Sequence, residues 1–515
     1  MFDVLISGGR IVDGSGNPWY RGDVGIGGDH IAALGRLTGA EARIRIDATD
    51  KIVAPGFIDA HVHGDLMLLA DPFHEAAIRQ GVTTYILGQD GVAMAPASPK
   101  TLDYMRRYTA GFSGNPPLVQ EWSSFAEYLA CFDRKCALNV ACLVPNGNVR
   151  MEVIDLETRA PTAEELRHMG RLVRQAMEEG AVGLSSGLDY IPSRYAEIDE
   201  LISLCKEMAP YGGVYVTHMR RYDPAGVLGA MEEVFRIGEE ADIPVHISHF
   251  NSQAELVLPK LDEARARGID VTYDLYCYTA GSSILAMVTL PPRVQVGGIS
   301  ATLARLQDDS VRTQLREWFN APRVPLDTVR LSYVEAESYR QYEGYPLLDA
   351  IRASGQEPVA FICDLLVASG LAAGCIAAHR QRTEEDVRGL MRHPAMMAGS
   401  DGIFTGRRPH PRGCGCFARY LGHHVREART WTLEQAVQRL AAHAARRFGL
   451  KDRGLLREGM AADVVVFAAD EIADRSTYED GRQLAVGMQQ VLVNGEFVLH
   501  DGKRTEALPG RPLRR

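Results

Sequence analysis

The sequence lacks the features that identify membrane, secreted and nucleic-acid-binding proteins. No apolar run approaches the ~18–20 residues of a membrane helix, and residues 1–6 lack the basic region and apolar core of a secretory signal. The net charge is −10, with both signs mixed along the chain, which argues against a nucleic-acid surface. We therefore expect no membrane or nucleic-acid partner and a small molecule as the substrate.

Cysteine is scarce and follows no metal-binding pattern. The 515 residues include nine cysteines, an odd number, without zinc-finger spacing. The one close pair, Cys414 and Cys416, is interpreted as two thiols in a Gly-rich loop. This usage is typical of a reducing compartment with buried thiols, so a cytoplasmic location is expected. The sequence leaves open whether the chain forms a homo-oligomer.

Both ends of the chain alternate short apolar stretches with turns, which is typical of antiparallel sheet. In residues 1–54, Gly, Asn and Asp interrupt the apolar runs, and the same character returns in residues 452–515. Asn494-Gly495 between two apolar runs is a strong hairpin signal. We predict that the two terminal segments pair into one small β-sandwich.

Between the two ends, strand-like runs alternate with helix-like stretches, which favours parallel β/α units. Eight runs predict an α/β fold, a (β/α)8 TIM-like catalytic barrel over residues 55–451. The interval between the last two runs is too long for one crossover, so an insertion after strand seven is predicted at about 284–346. The predicted strands lie near residues 52–60, 82–88, 138–144, 180–186, 213–218, 244–249, 269–275 and 395–401.

Polar side chains close several of these predicted strands. Active sites of such barrels lie at the C-terminal ends of the strands, and residues i and i+2 of a strand point to the same side. Four histidines and two aspartates at five strand ends therefore predict a site for one or two divalent metal ions. They are His61, His63, Asp90, His218, His249 and Asp401.

Alternation along strand six separates two histidines. His249 shares a face with Val245 and Ile247, while His246 lies on the opposite face. If the first face points into the barrel, His246 points toward the helix layer, where a structural role is expected.

The predicted ligand set suits a hydrolytic reaction. A bound metal lowers the pKa of water toward ~7 and polarises a substrate carbonyl. A carboxylate beside that water can take its proton and pass it to the leaving amine, and Asp401 fits this double role. Asp401 could instead cap a helix before Gly402, an interpretation that is compatible with catalysis but does not explain the histidines.

These residues and five stretches of the chain resemble the amidohydrolase superfamily and, within it, the D-aminoacylase (N-acyl-D-amino-acid deacylase) family. The resemblance implies a metal-dependent barrel that carries a β-sandwich of both termini and an insertion after strand seven. It also implies hydrolysis of the amide bond of N-acyl-D-amino acids to a carboxylate and a free D-amino acid. The stretches lie at residues 55–63, 180–192, 274–282, 410–413 and 454–463.

The family pattern also implies how the ligands divide between two metal positions. By position, His218 and His249 would hold a tightly bound zinc ion. His61, His63 and Asp401 would line a second, weaker position.

The same resemblance implies residues that contact the substrate. Arg412 and one tyrosine of the Tyr276 and Tyr278 pair would lie near the substrate carboxylate, because a planar guanidinium binds a carboxylate bidentately. Tyr190, in the stretch at 180–192, is placed with them.

Three departures from the family pattern affect the expected chemistry. Asp90 stands where the family usually has a cysteine ligand, and this harder ligand would shift the preference from zinc toward manganese or cobalt. Asp90 could bridge two ions or only cap the loop before Gly91; we favour a ligand. Asn251 stands where the family tends to have lysine, so a cationic contact to the substrate is expected to be lost. Asn146 lies in place of a Gly-His-Gly element and can donate to a substrate but cannot titrate.

Two other functions remain as alternatives. One is hydrolysis of a cyclic amide, a hydantoin or imide, by the same metal chemistry. Many hydantoin-opening relatives use a carboxylated lysine on strand four, and residues 182–186 contain no lysine. The other is a non-catalytic scaffold on the same fold, which the complete histidine set disfavours.

Overall fold

Eight parallel strands form a closed barrel in the computed structural model, which describes residues 1–117, 120–380 and 382–515. Strand eight returns to strand one through hydrogen bonds from Ala60 N–H to Ala398 C=O at 3.1 Å and from Asp401 N–H to His61 C=O at 2.7 Å. This closure confirms the predicted (β/α)8 barrel. The strands are Phe57–Asp59, Val82–Leu87, Asn139–Cys142 with its continuation Val144–Pro145, Gly183–Gly187, Val214–His218, Val245–Ile247, Val271–Leu275 and Met396–Ala398.

The barrel interior is a packed apolar core. Alternate strand positions face it, as the pleat of a strand requires, and the helix His443–Phe448 contributes to it. The other face of each strand packs against the surrounding helices in a larger core. Val245, Ile247 and Tyr273 are examples of such strand residues. The interior residues include Ile58, Ile86, Ala141, Val182, Val214, Val216, Met397, Ala444 and Phe448.

Amphipathic helices surround the strands. The helix Ala163–Glu178 is an example: Thr162 and Glu165 form a capping box at its start, and it buries Met169 and Val173 on one face. The helices that follow barrel strands are Asp65–Ala70, Glu75–Ile78, Pro99–Ser113, Phe125–Ala130, Asn146–Ile154, Ala163–Glu178, Ile198–Met208, Val227–Ala241, Ala254–Ala266, Glu384–Arg392, Arg412–Arg419, Leu433–Val437 and His443–Phe448.

Both termini contribute to a second, nine-stranded sheet. Its strand Val464–Phe467 has two buried faces, since Val464 and Val466 join the sheet's own core while Val465 and Phe467 pack in the core shared with the barrel. The strands in spatial order are Lys503–Arg504, Glu496–His500, Met488–Val493, Val464–Phe467, Ile52–Pro55, Phe2–Ile11, Tyr20–Gly27 and His30–Gly35, with Ala42–Asp47 also paired to Phe2–Ile11.

The predicted first strand, 52–60, is divided between these two sheets. Ile52–Pro55 pairs with the terminal strands and Phe57–Asp59 with the barrel. Gly56 lies at the division, and a Cβ there would overlap the side chain of Thr83 on strand two. A glycine therefore lets the chain pass from one sheet to the other against the barrel wall.

The insertion between strands seven and eight contains its own antiparallel sheet and apolar core. The predicted insertion, about 284–346, covers its first helices and second strand, but the third strand comes later in the chain. The strands are Ala280–Ile284, Val329–Val334 and Ala373–Ala378, and the helices are Leu285–Thr289, Pro292–Gln295, Gly298–Leu306, Asp309–Trp318, Leu347–Ser354 and Pro358–Ala368.

Within residues 1–117, 120–380 and 382–515, none of the helices has the length and apolar character needed to cross a bilayer. All nine cysteines lie in this part of the chain, and each is buried and free.

Replacing Gly56 by alanine should destabilise the fold. The added Cβ would overlap Thr83, and overpacking of this kind typically costs about 1–3 kcal/mol. Thermal unfolding followed by circular dichroism would measure the change. Gly229→Ala is the matched control, because Gly229 is exposed on the helix Val227–Ala241 and a Cβ there meets nothing within 4 Å. The same unfolding midpoint temperature for Gly56→Ala and the parent protein would contradict the need for glycine between the two sheets.

Candidate metal centre

The predicted metal ligands lie together at the C-terminal ends of the barrel strands. His63 Nε2 is 3.2 Å from Asp401 Oδ1, and His61 Nε2 is 3.8 Å from the same oxygen. His218 Nδ1 is 2.9 Å from His249 Nε2. His218 is the most open of the six, with 12% of its side-chain surface exposed. The cluster is therefore a compact, shielded set of nitrogen and oxygen donors.

Asp90 lies between two pairs of histidines. Its Oδ1 is 3.6 Å from His61 Nε2, and its Oδ2 is 3.6 Å from His63 Nε2. The same Oδ2 is also 3.6 Å from His218 Nδ1 and from His249 Nε2. Two ligand triads, each spanning at most 4.8 Å, thus share this one carboxylate. A carboxylate in such a position can contact two cations at once.

Unsatisfied buried atoms indicate that this cluster fits a metal ion. Both ring nitrogens of His61 and both carboxylate oxygens of Asp90 are buried without a hydrogen-bond partner among the described residues. Buried polar atoms are normally paired because leaving them unpaired costs free energy. Divalent cations accept both ligand types, so a metal would satisfy the atoms that the protein leaves free.

The electrostatics of the cluster also favour a cation. Burial opposes a charge on His61, but Asp274 and Asp90 raise its pKa to about 10. Burial likewise opposes the negative charge of Asp90, yet His61 and His249 hold its pKa well below the ordinary value. Positive charge is therefore stabilised where these groups meet, and metal ions compete with protons for such donors.

Strand four positions the turn that carries Asp90. Asp90 has a left-handed backbone, with φ 57° and ψ 23°. The Ser185 hydroxyl donates to Gly88 C=O at 2.5 Å and accepts from Gly91 N–H at 3.1 Å. A Cβ at Gly187 would overlap the Asp90 carbonyl. Serine and glycine on strand four therefore hold the carboxylate where a longer side chain would displace it.

Asp274 is a site residue that the sequence reasoning did not identify. Its Oδ2 is 3.4 Å from His61 Nδ1 and 3.0 Å from His246 Nε2, and its Oδ1 accepts from His249 N–H at 2.8 Å. Burial would raise the pKa of Asp274, but His61 and His246 lower it below the ordinary value. Asp274 thus orients the His61 ring and the His249 backbone. In the sequence, the signal for this role is its position near the end of strand seven.

The predicted direction of His246 is wrong. His246 contacts Thr272 and Asp274 across the barrel strands, while Val245 and Ile247 pack in the core shared with the helices. The strand ends at Ile247, and His249 has a positive φ of 33°. Strand alternation therefore does not extend to His249, which reaches the site through a turn.

Asp401 is held by the closure of the barrel. Ser400, just before it, donates its N–H to Asp59 Oδ1 at 2.8 Å and its hydroxyl to Asp59 Oδ2 at 2.5 Å. Arg412 Nη1 lies 2.8 Å from Asp401 Oδ2. Burial would raise the pKa of Asp401, but Arg412 and His63 keep it below the ordinary value, so this carboxylate is ionised.

The predicted substrate residues separate into two groups. The Arg412 guanidinium lies 4.6 Å from the centre of the Tyr276 ring, and Tyr276 Oη accepts from Asn251 Nδ2 at 2.6 Å. Tyr278, in contrast, packs against His410 and lies under Arg419. Of the tyrosine pair, Tyr276 is therefore the one beside Arg412.

Tyr190 lies beside a histidine ligand, and Asn146 lies beside Ser193. The Tyr190 ring is 5.0 Å from the ring of His218. Asn146 is buried, its Oδ1 accepts from Ser193, and its Nδ2 has no partner among the described residues. Phe112, which the sequence reasoning missed, lies 4.5 Å from the ring of His63. The site thus has aromatic side chains beside His63 and His218.

Comparison with known proteins identifies relatives that match the full chain. The amidohydrolase family pattern matches residues 45–499. The D-aminoacylase of Alcaligenes xylosoxydans xylosoxydans is 36% identical over 531 residues, covering 100% of this chain and 98% of the relative. The N-acyl-D-glutamate deacylase of the same organism is 35% identical over 520 residues, covering 100% and 96%. The crystal structure of N-acyl-D-glutamate deacylase from Bordetella bronchiseptica, with zinc and a phosphonate inhibitor, has a TM-score of 0.84 at 34% identity and covers 100% of both chains.

Removing the Asp90 carboxylate should weaken metal binding at both positions. Asp90→Ala removes the donor that both triads share, and we expect metal affinity to fall by more than the ~10–100-fold typical of lost outer-shell partners. Metal content of the purified protein, measured by plasma mass spectrometry, would test this. Asp262→Ala, at an exposed carboxylate, is the control. Parent-like metal content and activity in Asp90→Ala would show that Asp90 is not a ligand.

Proposed function

The chain belongs to the amidohydrolase family, and on this premise we propose that it is a metal-dependent deacylase. Its reaction is hydrolysis of the amide bond of N-acyl-D-amino acids, giving a carboxylate and a free D-amino acid. The observation that carries this proposal is the cluster of four histidines and Asp401 around Asp90, with Arg412 2.8 Å from Asp401. Metal ligands and a carboxylate-binding side chain thus lie side by side.

The proposed cofactor is one or two divalent ions. His218 and His249 would hold one ion and His61, His63 and Asp401 the other, with Asp90 between them. Zinc is favoured because a related deacylase contains it, while the harder Asp90 ligand is also compatible with manganese or cobalt. When bound, such an ion lowers the pKa of water and polarises the amide carbonyl.

Asp401 is the proposed proton carrier. It is ionised, and contacts with His63 and Arg412 fix its two oxygens. It would take a proton from the attacking water and deliver it to the amide nitrogen as the C–N bond breaks. The new C–O bond leaves the acyl group as a carboxylate, and the protonated nitrogen leaves as the amine of the D-amino acid.

The two sides of the site would orient the substrate. Arg412 and Tyr276 offer a cation and a hydroxyl to the substrate carboxylate. Phe112 and Tyr190 form an apolar side next to His63 and His218, which suits the acyl group. A reacting amide between these sides would lie over the metal ligands.

The alternative functions have less support. Ser185 on strand four is engaged with the Asp90 turn, so this strand supplies no lysine of the kind that hydantoin-opening relatives use. The ring of a hydantoin or imide also has no carboxylate of its own for Arg412 to bind. The complete ligand set argues against a scaffold. We further propose a cytoplasmic location, which the nine free, buried cysteines support.

A substrate screen would test the proposed reaction. We expect the metal-loaded enzyme to release amine from N-acetyl or N-formyl D-amino acids and not from their L enantiomers. Removal of the metal by a chelator should abolish the activity, and added divalent ion should restore it. Activity only toward hydantoins or imides would favour the cyclic-amide alternative, and no hydrolysis of any amide would contradict the proposal.

Replacing Asp401 by asparagine should remove the proton carrier while keeping the shape of the side chain. Turnover should fall by ~10²–10⁴-fold, the usual scale for a lost general acid or base. Metal content should stay nearly unchanged, because His61, His63 and Asp90 remain. Steady-state kinetics together with metal analysis would measure both effects. Undiminished turnover would refute the role of Asp401.

A further inference from the structure

A second buried guanidinium lies next to the one already described. Arg382 follows the last strand of the insertion, Ala373–Ala378, and is 5% exposed. Its Nη1 donates to Asn251 Oδ1, and its Nη2 donates to Tyr276 C=O at 3.3 Å. The end of the insertion thus places a positively charged side chain beside Asn251, which lies two positions after the predicted ligand His249.

This contact places a cation beside Asn251. The sequence predicts that a cationic contact is lost there, because the family tends to have lysine. In the structure, the Asn251 side chain accepts from Arg382 and donates to Tyr276 Oη. Asparagine therefore holds a cation that comes from 131 positions later in the chain.

The two guanidiniums share one aromatic ring. The Cζ of Arg412 is 4.6 Å from the centre of the Tyr276 ring, and the Cζ of Arg382 is 5.3 Å from it. The ring's electron-rich face stabilises nearby cations, but an aromatic ring carries no net charge. Two positive charges therefore lie around one neutral ring, and one of them also contacts Asp401.

The two arginines differ in their counter-ions. Arg412 lies 2.8 Å from the carboxylate of Asp401. Arg382 has no carboxylate within 4.0 Å among the described residues, and its buried Nε lacks a hydrogen-bond partner there. Asp386, in the first turn of the next helix, is engaged with Thr383 and the Ala254 N–H. A buried cation without an anion is unfavourable unless a ligand supplies one.

We propose that Arg382 binds a carboxylate in the side chain of the substrate and makes this enzyme selective for N-acyl-D-amino acids with acidic side chains. This inference rests on the proposed deacylase function and assigns its substrate class. Arg412 would take the α-carboxylate and Arg382 the second carboxylate. A neutral side chain would leave Arg382 desolvated and unpaired, and sites built for a polar group reject analogues that lack it. Overall identity does not decide this, since the D-aminoacylase and the N-acyl-D-glutamate deacylase match almost equally well, at 36% and 35%.

Kinetics of the parent enzyme give the first test. The metal-loaded, full-length protein is assayed with N-acetyl-D-glutamate, N-acetyl-D-aspartate and N-acetyl-D-leucine. We expect kcat/KM to be higher for at least one acidic substrate than for the neutral one. Hydrolysis of N-acetyl-D-leucine with little or none of either acidic substrate overturns the role of Arg382 alone. No hydrolysis of any N-acyl-D-amino acid overturns the deacylase function as well.

Charge removal at Arg382 gives the second test. In Arg382→Gln, kcat/KM for the acidic substrate should fall by about 30-fold or more, the scale for removing one partner of a buried charge pair. The value for N-acetyl-D-leucine should change much less, and Arg382→Lys should recover part of the loss. Arg380→Gln is the matched control, because Arg380 is exposed in the same segment and pairs with Asp327. Equal losses for both substrates would indicate either a structural role or a contact to the α-carboxylate that both share, and either result would overturn the proposal.

Discussion

The structure depends on one buried carboxylate that lies within reach of four imidazoles. Asp90 is 3.6 Å from a nitrogen of each predicted histidine ligand, and none of its oxygens has a hydrogen-bond partner among the described residues. Such an arrangement is unfavourable in an empty protein interior. It becomes favourable when cations occupy the space between the donors, which links the stability of this end of the barrel to metal binding.

Holding these donors in place requires unusual backbone conformations at the strand ends. Asp90, His249 and Asp401 all have positive φ, at 57°, 33° and 49°. Residues other than glycine rarely adopt such angles unless the surroundings enforce them, and they cluster at functional sites. Here the surroundings are Ser185 beside the Asp90 turn and Asp59 beside Ser400. The neighbouring strands therefore supply the hydrogen bonds that keep the ligands in strained positions.

Much of the barrel and of the ligand cluster could be predicted from the sequence, because both rest on local periodicity. Each ligand follows an apolar run, and parallel strands of a barrel all end at the same mouth. The predictions were wrong where the alternation of a strand stops, at a turn or at a change of sheet. His246 was assigned the wrong direction because the strand ends at Ile247 and His249 lies in a turn. The first strand was predicted as one, although Gly56 divides it between two sheets.

Residues brought to the site from distant segments left no signal in the sequence. Phe112 comes from the end of a helix and Arg382 from the end of the insertion, and their contacts follow from tertiary packing alone. This has a consequence for how the site can diverge. The metal ligands lie at or just after the ends of barrel strands, which cannot shift without opening the barrel. Arg382 sits on a segment outside the barrel strands, where substitutions can alter the charge around Tyr276 without moving a ligand. If Arg382 has the proposed role, recognition of the substrate can therefore change while the hydrolytic centre stays the same.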